Sequence, residues 1–208
     1  MIDKCTTKSW ETSLYEPQQL YYNLMGEKIL TDKNVISAYY MAKHKKSCDS
    51  PAWDGMTRTI LVDGMEPEHA WSLIRYHVLH GPSGCVKRFD IPKSNGKTRP
   101  ISIYPLLDRV AQWCIMEPLR KACGPLLSPI NHAFLKGKSC KTAFEAFPPA
   151  GEAGYVICGD IHSFFDSVSH SLVRACLWSA GIRDSQLLHT INVTLKTPYK
   201  YPKQPKIK

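Results

Sequence analysis

The stretch IPKSNGKTRPISIYPLLDRVAQWCIMEPL, residues 91–119, decides how this chain is read. Val86, Phe89 and Ile91 precede a turn, KSNGK, and Ile101 and Ile103 follow it. Asn95-Gly96 is a strong hairpin signal, because both central positions of a tight hairpin turn tolerate positive φ there. A two-stranded ribbon follows, with Lys93, Lys97 and Arg99 at its tip. Past Tyr104-Pro105 the apolar period lengthens to that of a helix, with Val110, Trp113 and Cys114 inward and Gly124-Pro125 as the stop. One segment thus carries both a hairpin and a helix, the mark of an α+β fold.

Working outward, residues 15–47 read as helical. Leu20, Leu24 and Ile29 sit at near-helical spacing, then Val35, Tyr39 and Ala42, with a basic run at the end. Residues 47–57 are a loop rich in breakers. Residues 66–81 form a helix opened by Pro67 and closed by Gly81, with Trp71, Ile74 and Val78 along one side. Residues 131–147 are a loop entering a helix, with Ser139 as N-cap. Residues 148–154 are a turn, and YVICGDI, 155–161, reads as a short buried strand. Helices are expected over 169–181 and 184–195, and a frayed basic, Pro-rich tail follows.

The 208 residues and 43% hydrophobic content allow a real core and exclude a disordered chain. No apolar run reaches the ~18 residues of a membrane span, and no secretory h-region opens the chain. A cytoplasmic protein without a membrane partner is expected. Eight cysteines lack C-x-x-C spacing, which argues against zinc and for reduced, mostly buried thiols. Charge is uneven. Residues 1–80 hold 9 basic and 10 acidic side chains, whereas residues 81–208 hold 18 and 8. Residues 85–141 alone hold 11 basic and 3 acidic. A localised basic excess among aromatics points to a nucleic-acid partner, with a solubilising face as the plain alternative.

The order of segments resembles group II intron-like bacterial reverse transcriptases. Ile91-Pro92-Lys93, Asn95-Gly96, Arg99-Pro100, Asp108-Arg109 and Gln112 stand as in that family's fingers. Phe134, Gly137 and Ser139 match its template loop, GDIHSFFDSVSHSLV (159–173) its first catalytic palm motif, and WDGMT (53–57) an upstream motif. The departures are Ile-Ser-Ile-Tyr-Pro after Arg99-Pro100, Ala133 for Gly, and Leu135 for Arg. The family's Tyr-x-Asp-Asp turn has no counterpart, since no Asp-Asp pair occurs in these residues. The resemblance therefore implies fingers (helices plus hairpin) and the start of a palm, truncated before the Asp-Asp turn. Residues 1–80 would be the helical part of the fingers and 81–150 the hairpin and template loop. Residues 151–208 would be the palm start with a basic tail.

It also implies RNA-directed DNA polymerase chemistry. Such transfer rests on two metal ions roughly 3.5–4 Å apart, Mg²⁺ or Mn²⁺, held by hard oxygen ligands. Asp160 and the Ile161 carbonyl would supply such ligands; read alone, Asp160 is an ordinary turn or capping acid. Asp166 suits a helix cap more than a ligand, and Phe164 suits the core. Phe165 would lie under the incoming sugar and exclude a 2′-hydroxyl. Lys93, Lys97 and above all Arg99 would meet the dNTP triphosphate, Arg through its fork of donors. Arg109, Gln112, Lys136, Gly137, Lys138 and Ser139 would contact template, although Asp108 and Arg109 could equally pair locally. RNA template, DNA primer and dNTPs are the implied partners, with structured intron RNA and a chain supplying the rest of the palm as further ones. With one metal-binding Asp where the family uses three, these residues alone are expected not to polymerise. The rival readings are a maturase-like RNA-binding module and a split or degenerate fragment.

Overall fold

The computed structural model describes residues 19–94, 96–147, 155, 157–162 and 164–202, and the side chains of Phe165 and Asp166 fall outside it. A π-helical turn at Met25–Ile29 leads into α1 (Asp32–His44). A 3-10 turn (Lys46–Asp49), α2 (Arg58–Val62) and α3 (Pro67–His80) follow. The hairpin is β1 (Val86–Pro92) and β2 (Thr98–Ile103), then α4 (Leu106–Cys123) and α5 (Cys140–Glu145). The chain continues as α6 (Phe164–Ser167), α7 (His170–Ser179), α8 (Ser185–Leu195) and β3 (Tyr199–Lys200). The sheet order is β2-β1-β3, antiparallel on one side and parallel on the other. No helix among the described residues is long and apolar enough to cross a membrane.

The core is helical. Val35, Ala38, Tyr39 and Ala42 of α1 meet Ala70, Ile74 and Val78 of α3 and Val110, Ala111 and Cys114 of α4. The α1 residues form an i, i+3, i+4, i+7 stripe, and those of α3 and α4 recur at the same three- and four-residue steps. Pro118 lies inside α4 and cannot donate to the Cys114 carbonyl four residues back. Asn34 of α1 supplies the missing donor: its Nδ2 reaches Cys114 O at 2.9 Å and Ile29 O at 2.8 Å. One side chain thus repairs the proline gap and closes the π-helical turn.

The later helices are tied back to the start of the described chain. Asp184 is buried and caps α8, accepting from Leu187 N at 3.0 Å, and it also accepts from Met25 N at 2.7 Å. Tyr21 bridges to Ile182, with Tyr21 N donating to Gly181 O at 2.9 Å. Gln186 and Thr190 both donate to Leu79 O, at the end of α3.

Five expectations need correction. The segment 15–47 is not one helical run: Thr31 adopts extended backbone between the π-helical turn and α1, Tyr21 bridges to Ile182, and Leu20 is exposed. Residues 15–18 lie outside the described residues. YVICGDI is not a buried strand. Its residues 155 and 157–161 are exposed and irregular, because no strand among the described residues lies beside them to satisfy their backbone. The chain after Lys196 is not frayed over 199–200, where it forms β3 against Val86 and Lys87; residues 203–208 lie outside the described residues, as does the predicted turn 148–154. The thiols are not mostly buried: Cys48 and Cys114 are, whereas Cys140, Cys158 and Cys176 are exposed. Phe164 is 48% exposed and does not pack in the core.

Candidate nucleic-acid and nucleotide site

The hairpin forms where the turn signal placed it. Pro92 faces Thr98 and Ile91 faces Arg99. Lys93 N donates to Lys97 O at 2.6 Å, and Gly96 adopts φ +76, which only glycine takes freely. Asn95 lies outside the described residues. Lys93, Lys97 and Arg99 are all exposed at this end of the ribbon. They present a cluster of cations suited to a polyphosphate.

The loop before α5 is built by local hydrogen bonds. Ser139 and Thr142 form a reciprocal capping box: Thr142 N donates to Ser139 Oγ and Ser139 N to Thr142 Oγ1. His132 Nδ1 lies 2.9 Å from the same Thr142 hydroxyl. Gly137 takes φ +78, and Phe134 takes φ +59 with its ring 93% exposed. Lys138 Nζ turns back to Pro129 O at 3.3 Å, while Lys136 stands exposed. The Ser139 hydroxyl is therefore engaged as a cap, and Lys136 is the better-placed cation for an external phosphate.

Arg109 and Asp108 do not pair with each other. Arg109 donates to Ser47 O at 2.8 Å and Ser50 O at 3.1 Å, clamping the 3-10 turn that precedes WDGMT. Arg58 holds the other side of that turn through Asp49 at 2.9 Å. Asp108 is buried and meets His77 Nδ1 at 2.6 Å, with its second oxygen buried and unbonded. Burial and the turn away from Arg109 explain the failed local-pair reading. Sequence reasoning had no signal for His77–Asp108, because they stand 31 positions apart on separate helices with the hairpin between them. Gln112 lines a cleft beside Arg109 with Ser47, Ser50 and Trp113.

Asp160 is exposed and forms no hydrogen bond or ion pair with a described residue; Ile161 beside it is 65% exposed. The backbone of Phe165 and Asp166 lies in α6, and the cap residue of α7 is Ser169, not Asp166. No group of three or more His, Cys, Asp or Glu side chains comes together among the described residues. Asp160 and the Ile161 carbonyl fit two of the hard-oxygen positions of a magnesium site, whose remaining ligands would be water, phosphate or carboxylates other than the described residues. The described residues thus form a cationic hairpin and a capped basic loop, and Asp160 has no described partner.

A cationic hairpin, a capped basic loop and an exposed carboxylate stand in that order along the chain. The sequence model of the reverse transcriptase (RNA-dependent DNA polymerase) family matches residues 91–204, more than half of the chain, and the chain belongs to that family. Within it the chain is group II intron-like. Protein YkfC of Escherichia coli K12 is 28% identical over 159 residues, 73% of this chain and 41% of that protein. The group II intron-encoded protein LtrA of Lactococcus lactis subsp. cremoris is 28% identical over 116 residues, 55% of this chain and 19% of LtrA. An uncharacterized 91 kDa protein in the cob intron of Schizosaccharomyces pombe is 31% identical over 114 residues, 54% of this chain and 14% of that protein. The chain therefore matches less than half the length of each of these relatives.

Proposed function

We propose that this chain provides the fingers and the beginning of the palm of an enzyme that copies RNA into DNA. Residues 1–80 and 81–150 are the two parts of the fingers in this reading, and 151–208 begin the palm. The observation that carries it is the order in which the family match over 91–204 holds the hairpin, the capped loop and Asp160. Arg99 and Lys93 bind the dNTP phosphates, and Lys136 holds the template backbone. Lys97 lies in the same exposed turn and assists the first pair. Gln112 faces the template from its cleft, whereas Arg109 acts indirectly by holding the turn at 47–50. Lys138, Gly137 and Ser139 shape the template loop. Asp160, with the Ile161 carbonyl, contributes to a divalent-cation site completed by carboxylates from outside these residues. When bound, Mg²⁺ or Mn²⁺ would neutralise the charge that builds on the transferring phosphate. Phe165 discriminates against a ribose 2′-hydroxyl.

The test is primer extension on an RNA template with dNTPs and Mg²⁺. The 208 residues alone yield no product, and addition of a chain bearing an Asp-Asp turn restores synthesis. Product from the 208 residues alone overturns the division of the site.

The basic excess of 85–141 favours a second reading, an RNA-holding module of maturase type. Filter binding of intron RNA across salt concentrations tests it, because each phosphate contact contributes about −0.9 (duplex) or −0.7 (single strand) to the log–log slope. A flat response rejects it.

A further inference from the structure

The far end of the hairpin carries a second surface that the polymerase reading does not use. Val86 N donates to Pro198 O at 2.8 Å, and β3 runs parallel to β1 with Val86 opposite Tyr199 and Lys87 opposite Lys200. This pairing gathers three rings at the base of the ribbon, about 20 Å along β1 from the lysine tip. Trp53 is 46% exposed, Tyr199 54% and Tyr201 48%. Two of the three have a cation at the ring. Lys87 Nζ lies 5.7 Å from the Trp53 ring centre, and the Arg88 guanidinium lies 4.4 Å from that of Tyr199. Tyr201 stands edge-on to Tyr199 at 6.1 Å. Trp53, Cys85, Lys200, Tyr201 and Pro202 line a cleft of about 630 Å³, within the ~300–1,000 Å³ of ligand clefts. Among the described residues no acidic side chain lines it. Asp54, next to Trp53, directs Oδ1 to Met56 N at 3.2 Å.

Half-exposed rings in a cationic surround match what unpaired bases need. Every base has a face to stack, and its phosphate follows the cations. We propose that this cleft binds single-stranded nucleic acid, with an unpaired base stacked between Trp53 and Tyr201 and its phosphates held by Lys87 and Lys200. A duplex hides its base faces and gains only the phosphate contacts. The binding goes beyond DNA synthesis and needs none.

Fluorescence anisotropy with labelled 12-nucleotide single strands, RNA and DNA, and a hairpin duplex of the same length tests the assignment. Trp53→Ala and Tyr201→Ala each weaken single-strand binding roughly 5- to 150-fold, the worth of one stacked base. Duplex binding changes less than twofold. Trp53→Phe and Tyr201→Phe keep a ring and recover most of the affinity. Lys200→Gln lowers the salt slope on single strands by about 0.7. Circular dichroism checks folding, and if Trp53→Ala unfolds, Tyr201→Ala alone decides. Single-strand affinity unchanged in the folded alanine variants, or equal losses on single strand and duplex, overturns the proposal.

Discussion

Asn34→Ala tests the repair of the proline gap in α4. The side chain donates to two main-chain carbonyls, Ile29 O at 2.8 Å and Cys114 O at 2.9 Å. Cys114 O has no helical N–H to accept from, because residue 118 is proline. Orphaning a buried carbonyl costs about 1–3 kcal/mol. Carbonyls retain a second lone pair and Asn34 is only half-buried, so the two losses together amount to about 2–4 kcal/mol. The Cys114 share is separable. Pro118→Ala returns an N–H at position 118, which can donate to Cys114 O without Asn34. Urea denaturation of the wild type, both single variants and the double variant then gives a coupling energy. Asn34→Ala is expected to cost about 1 kcal/mol less in the Pro118→Ala background than alone. Equal costs in both backgrounds would refute the claim that Asn34 serves the gap left by Pro118.

Asp184→Ala removes a helix cap and orphans Met25 N, so urea denaturation should show a loss of about 2–4 kcal/mol; under 1 kcal/mol would refute the latch. Gly81 caps α3 at φ +78, and a Cβ there would stand 3.1 Å from Val193 Cγ1. In urea denaturation Gly81→Ala is expected to cost about 1–3 kcal/mol, relieved in part by adding Val193→Ala. Burial pushes the Cys114 thiol up from 9.0 to about 12. The folded state holds that proton where the unfolded state has released it, so stability falls between pH 9 and 12 by up to about 1.4 kcal/mol per pH unit. Cys114→Ala should flatten this alkaline limb, and identical pH slopes for variant and wild type would exclude the thiol as its source.

Local chemistry was legible and long-range chemistry was not. Asn-Gly placed the hairpin, Pro67 and Gly81 placed α3, and Ser139 placed the cap of α5, because each acts within four residues of itself. Arg109 was expected to contact template, with a local pair to its neighbour Asp108 as the alternative. In the fold Arg109 instead holds carbonyls at Ser47 and Ser50, and Asp108 holds His77. Nothing in a one-dimensional pattern ranks a neighbour below a residue 59 positions away. β3 escaped for the same reason: Tyr199 and Lys200 form a strand only because β1 offers an open edge. The family motifs located Asp160 in sequence, but motif order carries no information on whether its ligand partners are at hand.

YVICGDI marks where pattern and fold part most clearly, and the difference bears on how Asp160 works. Tyr155 is 95% and Ile157 94% exposed, although burying such side chains is worth about 1.5–3 kcal/mol each. That apolar content is suited to a sheet interior, and no described strand provides one. If palm strands from outside these residues pair with 155–161, they supply the burial energy and fix the Asp160 backbone in the same step. Cation binding at Asp160 is then linked to ordering of the segment. Hydrogen exchange tests this: amides of residues 157–161 exchange within seconds in the 208-residue chain and slow by at least tenfold when a chain carrying the Asp-Asp turn and its strands is added. Protection already present in the chain alone, or none gained with the complementing chain despite restored synthesis, would separate Asp160 from strand formation.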